Sequence, residues 1–130
     1  MRAQVSLEVM TYMVIMLLML TLVSYVAFSK SGEIYREKIN LDAKRVTKLL
    51  AIEINTAVGV GDGYKHSFFV PEHLYGDIDY TISVLGDYQR VYSRWGGNTY
   101  TVPILTGNIT GDVTKGLNFI KNEDGLIRFE

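Results

Sequence analysis

The first 58 residues follow a helical pattern that changes character about halfway. Twenty uncharged, mostly apolar residues run from Val9 to Phe28, about the length that a helix needs to cross the hydrocarbon core of a bilayer. Beyond Phe28 apolar residues recur in steps of three and four, the spacing of one stripe on an α-helix. The stripe consists of Tyr35, Ile39, Ala43, Val46, Leu50, Ile54 and Ala57. The pattern predicts one long helix over residues 4–58, with any bend placed at Ser31-Gly32.

A glycine-rich segment at residues 59–63 ends the helical pattern, and a period of two then replaces it. Alternation of apolar and polar residues is the signature of a strand with one buried face. The predicted strands are residues 78–84, 88–95, 99–105, 117–121 and 126–129, with a further short one at 68–70. Short turns between strands favour a small antiparallel β-sheet or β-sandwich. We therefore predict an α+β chain, with a helix over 4–58 and a β-rich head over 59–130.

The apolar segment could be a cleaved secretory signal, a membrane anchor or a buried core helix. A secretory signal ends in a small-residue cleavage site, whereas Phe28 is followed by Ser29-Lys30-Ser31-Gly32. We therefore expect the segment to be retained. Glu8 stands directly before it, and a carboxylate near a helix N-terminus gains only about 0.3–1 kcal/mol from the helix dipole. A plain anchor has no need of this charge.

The composition and the motifs argue against several classes of function. The 13 basic and 14 acidic residues give a formal net charge of −1, which offers no argument for nucleic-acid binding. The chain has no cysteine, which excludes disulfides, thiolate metal sites and a cysteine nucleophile. No nucleophile elbow, phosphate-binding loop or paired-carboxylate motif is present. We expect no enzymatic activity, no cofactor and no bound metal.

The candidate metal ligands have simpler explanations. Asp62, Asp77 and Asp79 lack the alternate spacing and distal glutamate of a calcium loop, and aspartate is common in turns for its own reasons. His66 and His73 are separated by a proline and have no partner at ligand spacing. We interpret all five as structural or surface residues.

Two further features concern the head. Asn108-Ile109-Thr110 is an N-glycosylation acceptor pattern in a glycine-flanked loop, so Asn108 is a candidate modification site if the head is exported. Tyr88, Tyr92 and Tyr100 either belong to the core or line an outer binding surface. Core is the default interpretation for residues on an alternating pattern.

The N-terminal motif resembles a known family. Gln4-x-Ser6-x-Glu8 followed by an apolar helix resembles the class III signal peptide of archaeal type IV pilins and pilin-like proteins, although Tyr12 stands where the family usually has leucine. The resemblance implies cleavage between Ala3 and Gln4, which would make residues 1–3 a leader peptide. It also implies assembly roles for Gln4, Ser6 and Glu8, with Glu8 neutralising the new N-terminal amine of a neighbouring subunit.

The resemblance also implies a function. The chain would be a structural subunit of an extracellular filament, held in the membrane by its helix before assembly and then used for adhesion or surface attachment. Its implied partners are copies of itself, a prepilin-peptidase-like protease, and a membrane assembly platform with its ATPase. The alternatives are a single-pass, membrane-anchored binding protein and a minor pilin that does not form the bulk of a filament.

Overall fold

A computed structural model describes the backbone of residues 2–130 and the side chains of residues 7–130. It contains one helix, α1 (Arg2–Val60), a short 3₁₀ helix at Gly86–Tyr88, and seven strands. The strands are β1 (Lys65–Val70), β2 (Thr81–Leu85), β3 (Arg90–Trp95), β4 (Asn98–Pro103), β5 (Ile109–Thr110), β6 (Gly116–Glu123) and β7 (Leu126–Phe129). The predicted α+β class is confirmed. The backbone is helical through Ser31 and Gly32.

The chain forms two compact units, Met1–Glu37 and Lys38–Glu130. The second unit adds the last part of α1 to the β-rich region predicted over residues 59–130, and from here on the head means this whole unit. In it, the last part of α1 packs with the strands around one hydrophobic core. Every stripe residue from Ile39 onward is buried, as the helical spacing predicts, and Thr47 and Ala51 are buried with them. Tyr35 lies in the first unit and remains exposed.

The strands form two sheets. One has the order β1-β6-β7-β5 and the other β2-β3-β4. Neighbouring strands are antiparallel except β5 and β7, which run parallel. The inward residues of both sheets, such as Val91, Ile120 and Ile127, join the stripe of α1 in the core.

Strands β6 and β7 form a hairpin with a two-residue turn. Glu123 and Leu126 are paired, and the two residues between them, Asp124 and Gly125, have φ of 53° and 81°. Two consecutive positive φ values define a type I′ turn, whose twist matches that of the flanking strands. Asp62 supports this turn, because its carboxylate accepts the N–H of Asp124 at 2.9 Å.

The strand predicted over residues 88–95 begins too early. Tyr88 ends the 3₁₀ helix, and Gln89 has a left-handed backbone with φ of 51°, so β3 starts at Arg90. Tyr88 is 72% exposed, which makes its assignment to the core wrong. Tyr100 packs against the core, whereas Tyr92 is half-buried on the opposite face of the sheet.

Buried polar groups connect α1 to both sheets of the head. The hydroxyls of Thr47 and Ser93 lie 2.6 Å apart, and both residues are fully buried. The indole N–H of Trp95 donates to Asn40 Oδ1 at 3.1 Å. On the other sheet, Asn122 Nδ2 donates to the carbonyl of Ala57 at 2.8 Å. Because these bonds require one rotational setting of the helix, they fix which of its faces lies inward.

Candidate functional site

The apolar part of α1, residues 9–28, is not buried by other residues of its own unit of the chain. From Val9, which is 48% exposed, to Phe28, which is 81% exposed, the large apolar side chains all lie on the surface. Contiguous apolar patches of more than a few hundred Å² are rare on soluble monomers and indicate a membrane or a protein partner. The helix is long and apolar enough to cross a membrane, which makes it a candidate span by length and composition.

The hydroxyl groups of this segment suit an apolar environment. Thr11 donates to the carbonyl of Leu7 at 2.9 Å, and Thr21 donates to the carbonyl of Leu17 at 2.8 Å. A threonine that bonds back to the preceding turn satisfies its own donor. Neither threonine hydroxyl therefore requires water, and these two groups can be buried in lipid or against other helices at little polar cost.

Glu8 is the exception on this surface. Its side chain is exposed, and it makes no hydrogen bond or ion pair with any other residue among 7–130. Its neighbours one turn further on are Thr11 and Tyr12, which carry no charge. The next basic residue toward the C-terminus is Lys30, about 33 Å further along the helix axis. Among residues 7–130, no cation lies close enough to neutralise the carboxylate of Glu8.

The helix dipole also does little for this carboxylate. Helix α1 begins at Arg2, and its first turn contains no acidic residue, so Glu8 lies in the second turn. The dipole effect falls off within the first turn of a helix. The side chains of Ala3, Gln4 and Ser6, which the pilin resemblance singles out, lie outside the described residues.

Asn108 lies in an exposed loop directly before β5. Its backbone is well held, because its carbonyl accepts the N–H of Ile127 at 3.0 Å and its N–H donates to Thr106 Oγ1 at 3.1 Å. The side-chain amide makes one longer bond, to the carbonyl of Gly125 at 3.2 Å. The side-chain nitrogen of Asn108 that would carry a glycan is therefore on the surface of a rigid loop, and glycosylation at this site stays a prediction.

The two other aspartates singled out from the sequence lie in the loop between β1 and β2. Asp79 Oδ1 lies 3.1 Å from His73 Nδ1 and 3.7 Å from Lys115 Nζ. Asp77 lies 3.9 Å from His73 and has a positive φ of 61°. His66, on β1, instead contacts Glu53 at 3.0 Å. Each of these groups has a local structural partner.

A groove on the outer face of the β2-β3-β4 sheet is lined by Tyr88 and Tyr92, as in the outer-surface alternative stated for these tyrosines, but the sequence reasoning missed its arginines. It has a volume of about 620 Å³. Its floor and rim include Tyr88, Arg90, Tyr92, Arg94, Thr99 and Thr101. A signal for it was present in the sequence: when alternate residues of one strand face the core, the residues between them share the opposite face.

The fold and the exposed helix together define an α+β protein whose N-terminal helix is a candidate membrane span. Comparison of the chain with protein-family models, with curated proteins and with solved structures finds no match. Function must therefore be argued from the surfaces of this chain.

Proposed function

We propose that the chain is a structural subunit of an extracellular filament of the type IV pilus class, assembled through the apolar part of α1. One observation carries the proposal: about twenty consecutive, mostly apolar residues of this helix are exposed, and they directly follow Glu8, whose carboxylate has no hydrogen-bond or ion-pair partner among residues 7–130. In the membrane, lipid would cover these residues. In a filament, the same helices of neighbouring subunits would cover them.

Glu8 supports assembly over simple anchoring. An isolated charge is expensive in a medium of low dielectric constant, and an opposite charge in good geometry offsets that cost. Within residues 7–130 no such charge is in reach. If the leader is removed as the resemblance implies, the new amine of Gln4 on a neighbouring subunit supplies it. Glu8 would then act as a registration point between subunits.

The proposal is tested by replacing Glu8 with glutamine in cells that produce the protein. Glu8→Gln keeps the size of the side chain and removes its charge. Membrane insertion should be unchanged, because the apolar segment is intact, while the amount of protein in the sheared extracellular fraction should fall. Glu33→Gln is the matched control, since Glu33 is an exposed acid on the same helix with its own partner, Lys30, at 2.9 Å.

Two results would contradict the proposal. Filaments of normal yield from the Glu8→Gln variant would exclude the proposed role of that carboxylate. Equal losses from Glu8→Gln and Glu33→Gln would show a general charge effect. N-terminal sequencing of the sheared protein tests the processing step separately, because cleavage predicts a chain that begins at Gln4.

The second candidate is a single-pass, membrane-anchored binding protein. The observation in its favour is that the head has a complete hydrophobic core of its own, while α1 has the length and composition of one membrane span. Such a protein would be found only in the membrane fraction, it would begin at Met1, and Glu8→Gln would leave its distribution unchanged.

A further inference from the structure

The groove on the outer sheet face is built by the middle strand of the β2-β3-β4 sheet. Val91, Ser93 and Trp95 of β3 face the core and are buried. The residues between them, Arg90, Tyr92 and Arg94, therefore share the outer face. On β4, Thr101 is paired with Tyr92 and Thr99 with Arg94. Two guanidinium groups thus flank one aromatic ring, and a row of hydroxyl groups runs alongside.

Neither arginine is neutralised. The side chains of Arg90 and Arg94 make no ion pair or hydrogen bond with any residue among 7–130, and no acidic residue lines the groove. The other sheet differs, because Lys121 is paired with Glu130 and Arg128 with Glu123. The hydrogen bond from Lys121 lowers the pKa of Glu130. In a chain with a formal net charge of −1, this groove is a local concentration of unpaired positive charge.

The chemistry of the groove indicates its ligand. Guanidinium groups bind carboxylate and sulfate oxygens through paired hydrogen bonds. The ring of Tyr92 offers a flat apolar face between them, and threonine hydroxyls both donate and accept hydrogen bonds. A ligand that matches has sparse negative charges, apolar ring faces and many hydroxyl groups. We propose that this groove binds an acidic polysaccharide.

The spacing of the arginines favours a polysaccharide over a nucleic acid. Four residues along a strand separate Arg90 from Arg94 by about 13 Å. One strand of a DNA duplex carries a phosphate about every 3.4 Å of helix axis, so about four phosphates of a duplex would face only two cations. A polysaccharide with one carboxylate for every two sugar units has fewer charges to neutralise, and its uncharged sugars would face Tyr92, Thr99 and Thr101.

Binding at this groove involves residues of the head alone and does not depend on whether the chain polymerises. In a filament, repetition of the groove along the surface would add avidity, because each bound site raises the effective concentration of the next. A single head would bind weakly, since the groove is open to solvent and its ion pairs would be screened.

The test measures binding by the full-length chain in nonionic detergent micelles. The probe is a hyaluronan oligosaccharide, with dextran of similar length as the uncharged control. We expect hyaluronan to bind and dextran to bind at least about tenfold more weakly. Arg90→Gln or Arg94→Gln should each weaken hyaluronan binding by about five- to tenfold, because each removes one charge-assisted hydrogen-bonding group in a solvent-exposed site.

Arg128→Gln is the matched control, since it removes the same charge from the other sheet, and it should leave binding within about twofold. The fluorescence of Trp95, directly beneath the groove, shows whether each variant is folded.

Equal binding of dextran, or an equal loss from Arg128→Gln, would overturn the proposal. Tighter binding of a single-stranded oligothymidylate would replace it with nucleic-acid recognition. If the wild-type chain self-associates but binds no glycan, and both groove variants lose this self-association, the face is a contact between copies of the chain.

Discussion

The buried pair Thr47–Ser93 gives the sharpest test of how α1 is attached to the head. Thr47 donates its hydroxyl proton to the carbonyl of Ala43 at 2.7 Å. Its one proton is therefore engaged, and the 2.6 Å contact with Ser93 requires Ser93 to donate to Thr47 Oγ1. Both side chains are 0% exposed. This direction of donation makes the pair asymmetric.

The asymmetry gives different costs for the two single substitutions. Thr47→Val keeps the shape but leaves the buried hydroxyl of Ser93 without an acceptor, and an unsatisfied buried donor costs about 1–3 kcal/mol. Ser93→Ala leaves Thr47 still bonded to Ala43, so we expect the lower cost of one lost hydrogen bond, about 0.5–1.5 kcal/mol. Threonine and valine have similar helix propensities, so backbone preference adds little.

The double variant decides between this explanation and a simple loss of packing. Replacing both partners with apolar groups removes the orphaned donor, so the double variant should be about 1 kcal/mol more stable than Thr47→Val alone. The assay is urea unfolding of the full chain in nonionic detergent, followed by the fluorescence of Trp95, the one tryptophan. An unchanged slope against urea would show that the unfolded state is the same in each variant.

Two outcomes would refute the reasoning. If the costs of the two single substitutions simply add in the double variant, the hydroxyls are not coupled. If Ser93→Ala costs more than Thr47→Val, the direction of donation is wrong. Thr56→Val is the matched control, because Thr56 is exposed on the same helix, and its effect should stay within about 0.5 kcal/mol.

Two further predictions concern the head. Gly111→Ala should destabilise it by about 1–3 kcal/mol, because Gly111 has φ of 85° and a Cβ there would lie 2.5 Å from the carbonyl oxygen of Phe129. Urea unfolding measures the loss, and wild-type stability of the variant would contradict this close approach of the backbone. Burial, with a smaller effect of Asp42, raises the pKa of Tyr80 from 10.0 to about 12. The head should therefore lose up to about 2–3 kcal/mol as the pH rises from 10 to 12, since the unfolded chain releases this proton first. Tyr80→Phe should reduce that loss in unfolding measured across this pH range, and an unchanged pH dependence would exclude Tyr80 as its source.

Local periodicity predicted most of the secondary structure because burial in this head follows it closely. The helical stripe from Ile39 to Ala57 and the alternation at Tyr80 and Ile82 both lie in the core. Helix α1 begins and ends two residues beyond its predicted bounds, as expected where helix ends fray.

The parts that the sequence did not predict depend on contacts between distant residues. Strand β5 has only two residues, Ile109 and Thr110, too few for an alternation, and it exists because Ile127 and Arg128 pair with it. The placement of β6 between β1 and β7 is likewise non-local.

Of the candidate sites, one was predicted from a local sequence signal and the other depends on how the strands are placed in the fold. The exposed helix and Glu8 were found because an uninterrupted apolar run is a local signal. The arginines of the groove were not predicted, because the default assignment of Tyr92 to the core left no face for the residues beside it. Once Val91 and Trp95 are assigned to the core, the two arginines necessarily share the outer face with Tyr92.

The exposed helix also determines where the specificity of assembly would come from. Lipid tails are as apolar as leucine side chains, so moving Val9–Phe28 from a membrane into a bundle of like helices gains little from the hydrophobic effect. The driving force must then come from close packing, from contacts between heads, and from groups for which lipid is a poor environment. In residues 7–28 the only ionisable carboxylate is Glu8. In the proposed filament, a neighbouring amine would neutralise a charge that lipid would leave without a partner, so Glu8 would distinguish a correct register from a shifted one, which uniform apolar surfaces cannot do.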